Sequence, residues 1–146
     1  MKISDLLAPT DVIIDVRASN KRALLEEFAA RAAASLGLPA DRVTSCLLKR
    51  EDLGSTGIGR GVAIPHARLS DVQRPYGMLA KLKAPVDFDA IDGQAVDLVF
   101  VLLLPAAAEH EALAALALVA RTLRSPEALA RLRAAKDATT LYAAIA

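Results

Sequence analysis

Asp97-Leu98-Val99-Phe100-Val101-Leu102-Leu103-Leu104 is the stretch of this 146-residue chain that decides its fold. After Asp97 it has no polar side chain, and Pro105 stops it. A strand that is apolar at every position, not only at alternate ones, has no face to give to water. It therefore reads as a central strand covered on both sides. Working outward, Val12-Ile13-Ile14-Asp15-Val16 is short and β-branched, Tyr76 to Leu82 is a further strand, and Val62-Ala63-Ile64 is a brief one cut off by Pro65-His66. Helical patterns separate them. Ser19 offers an N-cap for a helix running to about Leu36, with Ala23, Leu24, Phe28, Ala32 and Leu36 at helical spacing. Gly37 stops that helix and Pro39 prevents its continuation. A second helix is expected over Asp41 to Lys49, with Val43, Leu47 and Leu48 inward. A third is expected over Glu109 to Leu123, with Leu113, Leu116 and Ala120 as its core face. Ser125-Pro126 is an N-cap followed by proline at the first helical position, and Asp137 caps the last helix. Strands interleaved with helices predict an α/β fold: a single domain over residues 1–146, its mixed sheet packed with helices on both faces.

Composition narrows the function classes. Hydrophobic residues make up 54% of the chain and aromatics only 3%, so the core is aliphatic. The formal net charge is +1, and Lys and Arg are scattered, which is not the footprint of a nucleic-acid binder. No apolar run approaches the roughly 18 residues that a bilayer span needs. Met1-Lys2-Ile3-Ser4-Asp5 lacks the apolar stretch and cleavage site of a signal peptide. The expectation is a cytoplasmic protein with no membrane insertion. Cys46 is the only cysteine, which excludes an intrachain disulfide and a cysteine-rich metal site; it reads as a small buried core residue. Glu26 and Glu27 are adjacent on a helix and do not converge on a point, and Asp87 with Asp89 sits beside an expected turn, so neither pair suggests a glycosidase or metal site. No metal or cofactor is expected.

The chemistry concentrates around His66. Only one other histidine exists, His110. His66 follows Pro65 and lies downstream of Gly54-Ser55-Thr56-Gly57-Ile58-Gly59-Arg60-Gly61. Glycines let a backbone approach a ligand and point N–H groups at it, and the concavity suits an anion. Arg50, Arg60 and Arg68 are near enough in sequence to add charge-assisted hydrogen bonds. Two nucleotide motifs fail. Gly54 and Gly59 have P-loop spacing, but Arg60-Gly61 replaces Lys-Ser/Thr. Gly57 and Gly59 begin a dinucleotide fingerprint, but Val62 stands where the third glycine belongs. Both motifs also need a strand before and a helix after, the reverse of the order here. Two readings of His66 remain: a neutral imidazole nucleophile beside an anion-receptive loop, and a histidine that merely ends a strand. Similar pairs attend its neighbours. Gly54, Gly57, Gly59 and Gly61 donate N–H groups to phosphate or serve as turn conformers, and Ser55 and Thr56 contact phosphate or shape the turn. Arg60 and Arg68 touch a phosphoryl group, face an acidic partner, or are solvated.

The run Arg50-Glu51-Asp52-Leu53-Gly54-Ser55-Thr56-Gly57-Ile58-Gly59-Arg60-Gly61-Val62-Ala63-Ile64-Pro65-His66 resembles the active-site signature of fructose/mannitol-type enzymes IIA of the phosphoenolpyruvate:sugar phosphotransferase system. The likeness continues through Phe88-Asp89-Ala90-Ile91-Asp92-Gly93-Gln94 and Val96-Asp97-Leu98-Val99-Phe100 to Leu132-Arg133-Ala134-Ala135, and it looks most like the nitrogen-regulatory branch. The resemblance implies a type-2 IIA domain whose His66 accepts a phosphoryl group on Nε2 from an HPr- or NPr-like carrier. It implies that Arg50 stabilises the transferring group and that His110 is the neighbouring second histidine. It also implies control of nitrogen, potassium or carbon metabolism through the phosphorylation state, with the regulated targets unnamed. Two alternatives stay open: a sugar-uptake component passing phosphate to a IIB domain, and a binding module without phosphotransfer.

Overall fold

The apolar run forms β6, Val96–Pro105. It hydrogen-bonds on both sides: antiparallel to β5 (Tyr76–Val86), and parallel to β3 (Val62–Ala63) and β4 (His66–Leu69). The computed structural model describes residues 1–146. β1 (Val12–Val16) pairs parallel with β5, and β2 (Gly57–Gly59) antiparallel with β3. The mixed sheet of six strands therefore runs β1-β5-β6-β3-β2, with β4 lying beside β6 in line with β3. Helices α2 (Lys21–Leu36) and α3 (Ala40–Asp52) supply the core on one face. The short α1 (Ile3–Leu6), with α4 (Glu109–Thr122), α5 (Pro126–Ala134) and α6 (Ala138–Ile145), supplies the core on the other. This is the α/β layering that an all-apolar strand requires, because alternate residues of β6 enter the two cores: Val99, Val101 and Leu103 one, Leu98, Phe100 and Leu102 the other. No helix is long and apolar enough to cross a membrane.

Several boundaries move for identifiable reasons. The cap of α2 is Asn20, not Ser19: its side chain accepts from Ala23 N–H at 2.8 Å, and its own backbone is still extended. Gly37 ends α2 in the left-handed conformation (φ 68°), as a glycine there predicts. α3 runs on to Asp52, so Arg50 and Glu51 are helical. The core face of α4 is Ala112, Ala115 and Val119, one position away from the expected set, and Leu113 is 53% exposed while Leu116 and Ala120 are only partly buried. In a helix apolar nearly all round, periodicity does not select a face. Here alanines meet the sheet, where Phe100 and its neighbours already fill the space. Cys46 is half-buried at the edge of the α2–α3 core, not fully within it.

Gly77 marks the tightest approach of backbone to core. A Cβ there would lie 2.7 Å from Phe100 Cε1 and 3.1 Å from the Leu6 carbonyl oxygen. Phe100 is fully buried and has nowhere to swing. Gly77→Ala should therefore destabilise the fold by about 1–3 kcal/mol through overpacking. Urea denaturation would read this as a lower midpoint at unchanged slope, and an unmoved midpoint would mean that the ring has room to yield.

Candidate functional site

Pro65 shapes the site. β3 and β4 lie end to end along the same edge of β6, with Ile64 and Pro65 between them. Proline has no N–H for the ladder, so regular pairing lapses there. Two bonds hold the link instead: Leu102 N–H donates to the Pro65 carbonyl at 2.9 Å, and Ile64 N–H donates to the Thr56 carbonyl at 3.0 Å. His66 then opens β4 opposite Leu102. The sequence reads the interruption as a strand end, whereas in the fold His66 begins the next strand. Ala67 and Leu69 point into the α2–α3 core, so His66 and Arg68 point to the α4 side, beside Leu102 and Leu104.

His66 Nδ1 lies 2.7 Å from the Ile64 carbonyl oxygen. That oxygen can only accept, so Nδ1 carries the hydrogen and, in the neutral ring, Nε2 keeps its lone pair. Burial pushes the ring's pKa below its ordinary 6.5; the bond to Ile64 opposes this, Arg50 lowers it, Glu51 opposes, and Arg68 lowers it. Near pH 7 the ring is neutral. A half-buried neutral imidazole with one free nitrogen and two guanidinium neighbours is a nucleophile suited to an electrophile that carries anionic oxygens.

The surrounding cations are anchored. Arg50, in the last turn of α3, donates through Nη1 to the Gly54 carbonyl at 3.0 Å. Arg68 Nη1 lies 3.6 Å from Glu109 Oε1, tying β4 to the first residue of α4. His110 follows Glu109; it is exposed in the first turn of α4, on the side of the sheet that His66 faces. Arg50 and Arg68 are thus within electrostatic reach of the His66 ring, and the Arg68–Glu109 pair brings the start of α4, where His110 lies, to β4.

The glycine run departs from its expected role. Gly57–Gly59 is a strand, and Arg60-Gly61 is the tight turn of the β2–β3 hairpin. Arg60 has φ 57° and Gly61 φ 77°, the left-handed pair such a turn demands. The turn lies opposite Asp97 and Leu98, at the far end of β3 from His66, which pairs at Leu102. At roughly 3.3 Å per residue that separates Arg60 and Gly61 from the imidazole by about 13 Å. Several loop amides are already spent. Gly54 N–H donates to the Glu51 carbonyl, Gly57 N–H to Ser55 Oγ, and Arg60 N–H to Asp92 Oδ2. The Ser55 hydroxyl donates to the Phe88 carbonyl, and the Thr56 hydroxyl to Glu51. Close packing explains the glycines: a Cβ on Gly57 would meet Ala90 Cβ at 2.8 Å, one on Gly59 Asp92 Oδ2 at 3.2 Å, and one on Gly61 Arg133 Nη2 at 2.7 Å. The amides of Gly54, Thr56, Gly57 and Arg60 thus serve the packing of the run itself.

Sequence reasoning assigned no role to Glu51 or Lys21. Glu51, with its side chain 5% exposed, accepts from Thr56 N–H at 2.9 Å and the Thr56 hydroxyl at 2.6 Å, while Lys21 Nζ sits 2.7 Å away. The signal that existed was a glutamate among the first residues of the quoted signature; nothing local pointed to Lys21, thirty residues earlier.

The profile of the family described as "Phosphoenolpyruvate-dependent sugar phosphotransferase system, EIIA 2" matches residues 5–146. A nitrogen regulatory protein of Bradyrhizobium diazoefficiens is 43% identical over 146 residues, 100% of this chain and 95% of the relative. One from Pseudomonas aeruginosa is 43% identical over 143 residues, 97% of this chain and 93% of the relative. The crystal structure of the nitrogen regulatory protein IIA-Ntr from Neisseria meningitidis superposes with a TM-score of 0.92 at 34% identity, covering 99% of each chain.

The His66 environment makes a titration prediction. Followed by NMR, the His66 ring should titrate with a midpoint below 6.5, the neutral form carrying its hydrogen on Nδ1. With the folded pKa below the unfolded one, the unfolded chain takes up the proton first. The residue's contribution to stability is therefore full above pH 6.5 and declines as pH falls from there toward the folded midpoint. A midpoint at or above 6.5 would show that burial does not control the ring.

Proposed function

This chain belongs to the EIIA 2 family of the phosphoenolpyruvate-dependent sugar phosphotransferase system, and on that premise we propose that it is a regulatory phosphocarrier whose acceptor is His66. One observation carries the reading: the Ile64 carbonyl holds Nδ1–H at 2.7 Å, which leaves Nε2 as the nucleophile. The donor is a phosphohistidine on an HPr- or NPr-like protein. Its N–P bond breaks as the Nε2–P bond forms. The positive charge lost by the donor ring appears on the His66 ring, where Nδ1–H faces the Ile64 oxygen. Arg50 pairs with the phosphoryl oxygens and spreads their charge in transfer; such reactions need positioning and electrostatics more than covalent machinery. His110, at the start of α4, donates a hydrogen bond to the phosphoryl group once it is on His66. No metal or nucleotide need bind for this transfer. Regulation, of nitrogen, potassium or carbon metabolism, is preferred over sugar uptake through a IIB domain because the relatives at 43% identity are nitrogen regulatory proteins.

Incubation with phosphoenolpyruvate, enzyme I and an HPr- or NPr-like carrier, followed by intact mass measurement, should show one phosphoryl group that is acid-labile and base-stable. His66→Ala should gain none, and full labelling of that variant would rule His66 out. Arg50→Ala should slow transfer by roughly 10- to 1,000-fold, with stability within about 1 kcal/mol of wild type; unchanged kinetics would remove Arg50 from the mechanism. His110→Ala should still label on His66 alone but lose the phosphoryl group faster, because a donor worth about 1.5–3 kcal/mol to a charged group is gone. An unaltered lifetime of the phosphorylated form would leave His110 without a role.

A further inference from the structure

Glu51 stands out among groups that the phosphoryl-transfer reading leaves unused, because it is a carboxylate removed from water and partnered by Thr56, five residues on, and by Lys21, thirty residues earlier. Its Oε1 accepts Thr56 N–H and meets Lys21 Nζ at 2.7 Å, and its Oε2 accepts the Thr56 hydroxyl. Lys21 extends the grip, donating to the Phe88 carbonyl at 3.2 Å with its ammonium 5.1 Å from the Phe88 ring centroid. The same Phe88 carbonyl receives the Ser55 hydroxyl. The segment Gly54–Thr56, which leaves α3 and enters β2, is thus clamped from both sides. From Thr56 the connection continues inward: its carbonyl takes Ile64 N–H at 3.0 Å, and the Ile64 carbonyl takes His66 Nδ1–H at 2.7 Å.

We propose that Glu51, charge-balanced by Lys21, is a positioning residue for phosphoryl transfer: through Thr56 it holds Ile64 where the Ile64 carbonyl fixes His66 as the Nδ1–H tautomer with Nε2 turned outward. This rests on the reading of His66 as the phosphoryl acceptor. Glu51 does not touch the phosphoryl group; it acts through residues that fix the ring. A buried charge on α3 with partners from α2 and the loop before β2 has one geometry that satisfies it, and loss of either partner strands the rest. Pro65 makes such support necessary, since the ladder that would otherwise hold Ile64 is interrupted beside it. The field of the carboxylate also opposes the lowering of the ring's pKa by burial and the arginines.

The test uses the full chain carrying Glu51→Gln, which keeps the side chain's size and one acceptor oxygen while removing the charge that Lys21 faces. Nitrogen-15 NMR of the unphosphorylated protein reads the His66 tautomer directly, and phosphorylation kinetics read the transfer. Wild type should show the Nδ1–H form alone. Glu51→Gln should show a mixture of tautomers, a lower His66 titration midpoint and transfer slowed by roughly 100-fold, the loss expected from a misplaced reacting atom. A folded Glu51→Gln that keeps either the pure Nδ1–H tautomer or the wild-type transfer rate overturns the proposal, whatever happens to its stability. If that variant does not fold, Thr56→Val, which removes only the hydroxyl bond, carries the same test with the same deciding outcomes. The tautomer measurement needs no phosphoryl donor. If the wild type accepts no phosphate, the carrier function fails on that result, while the positioning role is judged on the ring alone.

Discussion

The structure depends on the burial of β6 from both sides. A strand without a polar face cannot border solvent, so the sheet must be covered twice, by α2 and α3 on one face and by α1, α4, α5 and α6 on the other. That requirement fixes where chemistry can occur. The sheet interior is closed, and polar function is pushed to the edge where β3 and β4 meet and to the helix ends that overhang it. His66 is at that edge, paired to the middle of the most buried strand by its backbone while its ring reaches the boundary.

Within that frame, one missing hydrogen governs the site. Pro65 cannot donate to the ladder, and the chain on either side is held by other bonds: Ile64 to Thr56, Pro65 to Leu102, and the His66 ring to Ile64. A nucleophile needs a free lone pair and a fixed direction. Here both come from a side chain bonded to a carbonyl two residues earlier in its own chain. The price is rigidity demanded of Ile64, and the buried Lys21–Glu51–Thr56 cluster supplies a restraint of that kind.

The glycines gain a different meaning. Gly57, Gly59 and Gly61 allow the β2–β3 hairpin to lie against Ala90, Asp92 and the Arg133–Asp97 pair. In that pair Arg133 Nη2 lies 2.9 Å from Asp97 Oδ1, and Arg133 also donates to the Arg60 carbonyl. The Phe88–Asp92 segment, which looks unremarkable alone, is therefore the hairpin's template. The hairpin and this segment form one packed unit, joined by the close approach of Gly57 to Ala90 and by the Arg60 N–H to Asp92 bond.

Much of this was legible in the sequence. The all-apolar run from Leu98 to Leu104 required a doubly covered sheet, the caps at Ser125 and Asp137 and the stop at Gly37 obeyed local rules, and the signature ending at Pro65-His66 pointed to one histidine of two. These features depend on residues within a turn or a strand of each other, so their energetics are contained in short windows of sequence. What only the tertiary structure decided is where each hydrogen-bonding group finds its partner. The face that α4 buries, the commitment of the Arg60 amide to Asp92, the tie of Ile64 to Thr56 that backs the His66 ring, and the pairing of Lys21 with Glu51 all rest on contacts that no single turn or strand of sequence contains. An N–H or a carboxylate has the same identity in the sequence whether it is spent or available. Its chemistry is set by what the folded chain brings within about 3 Å of it.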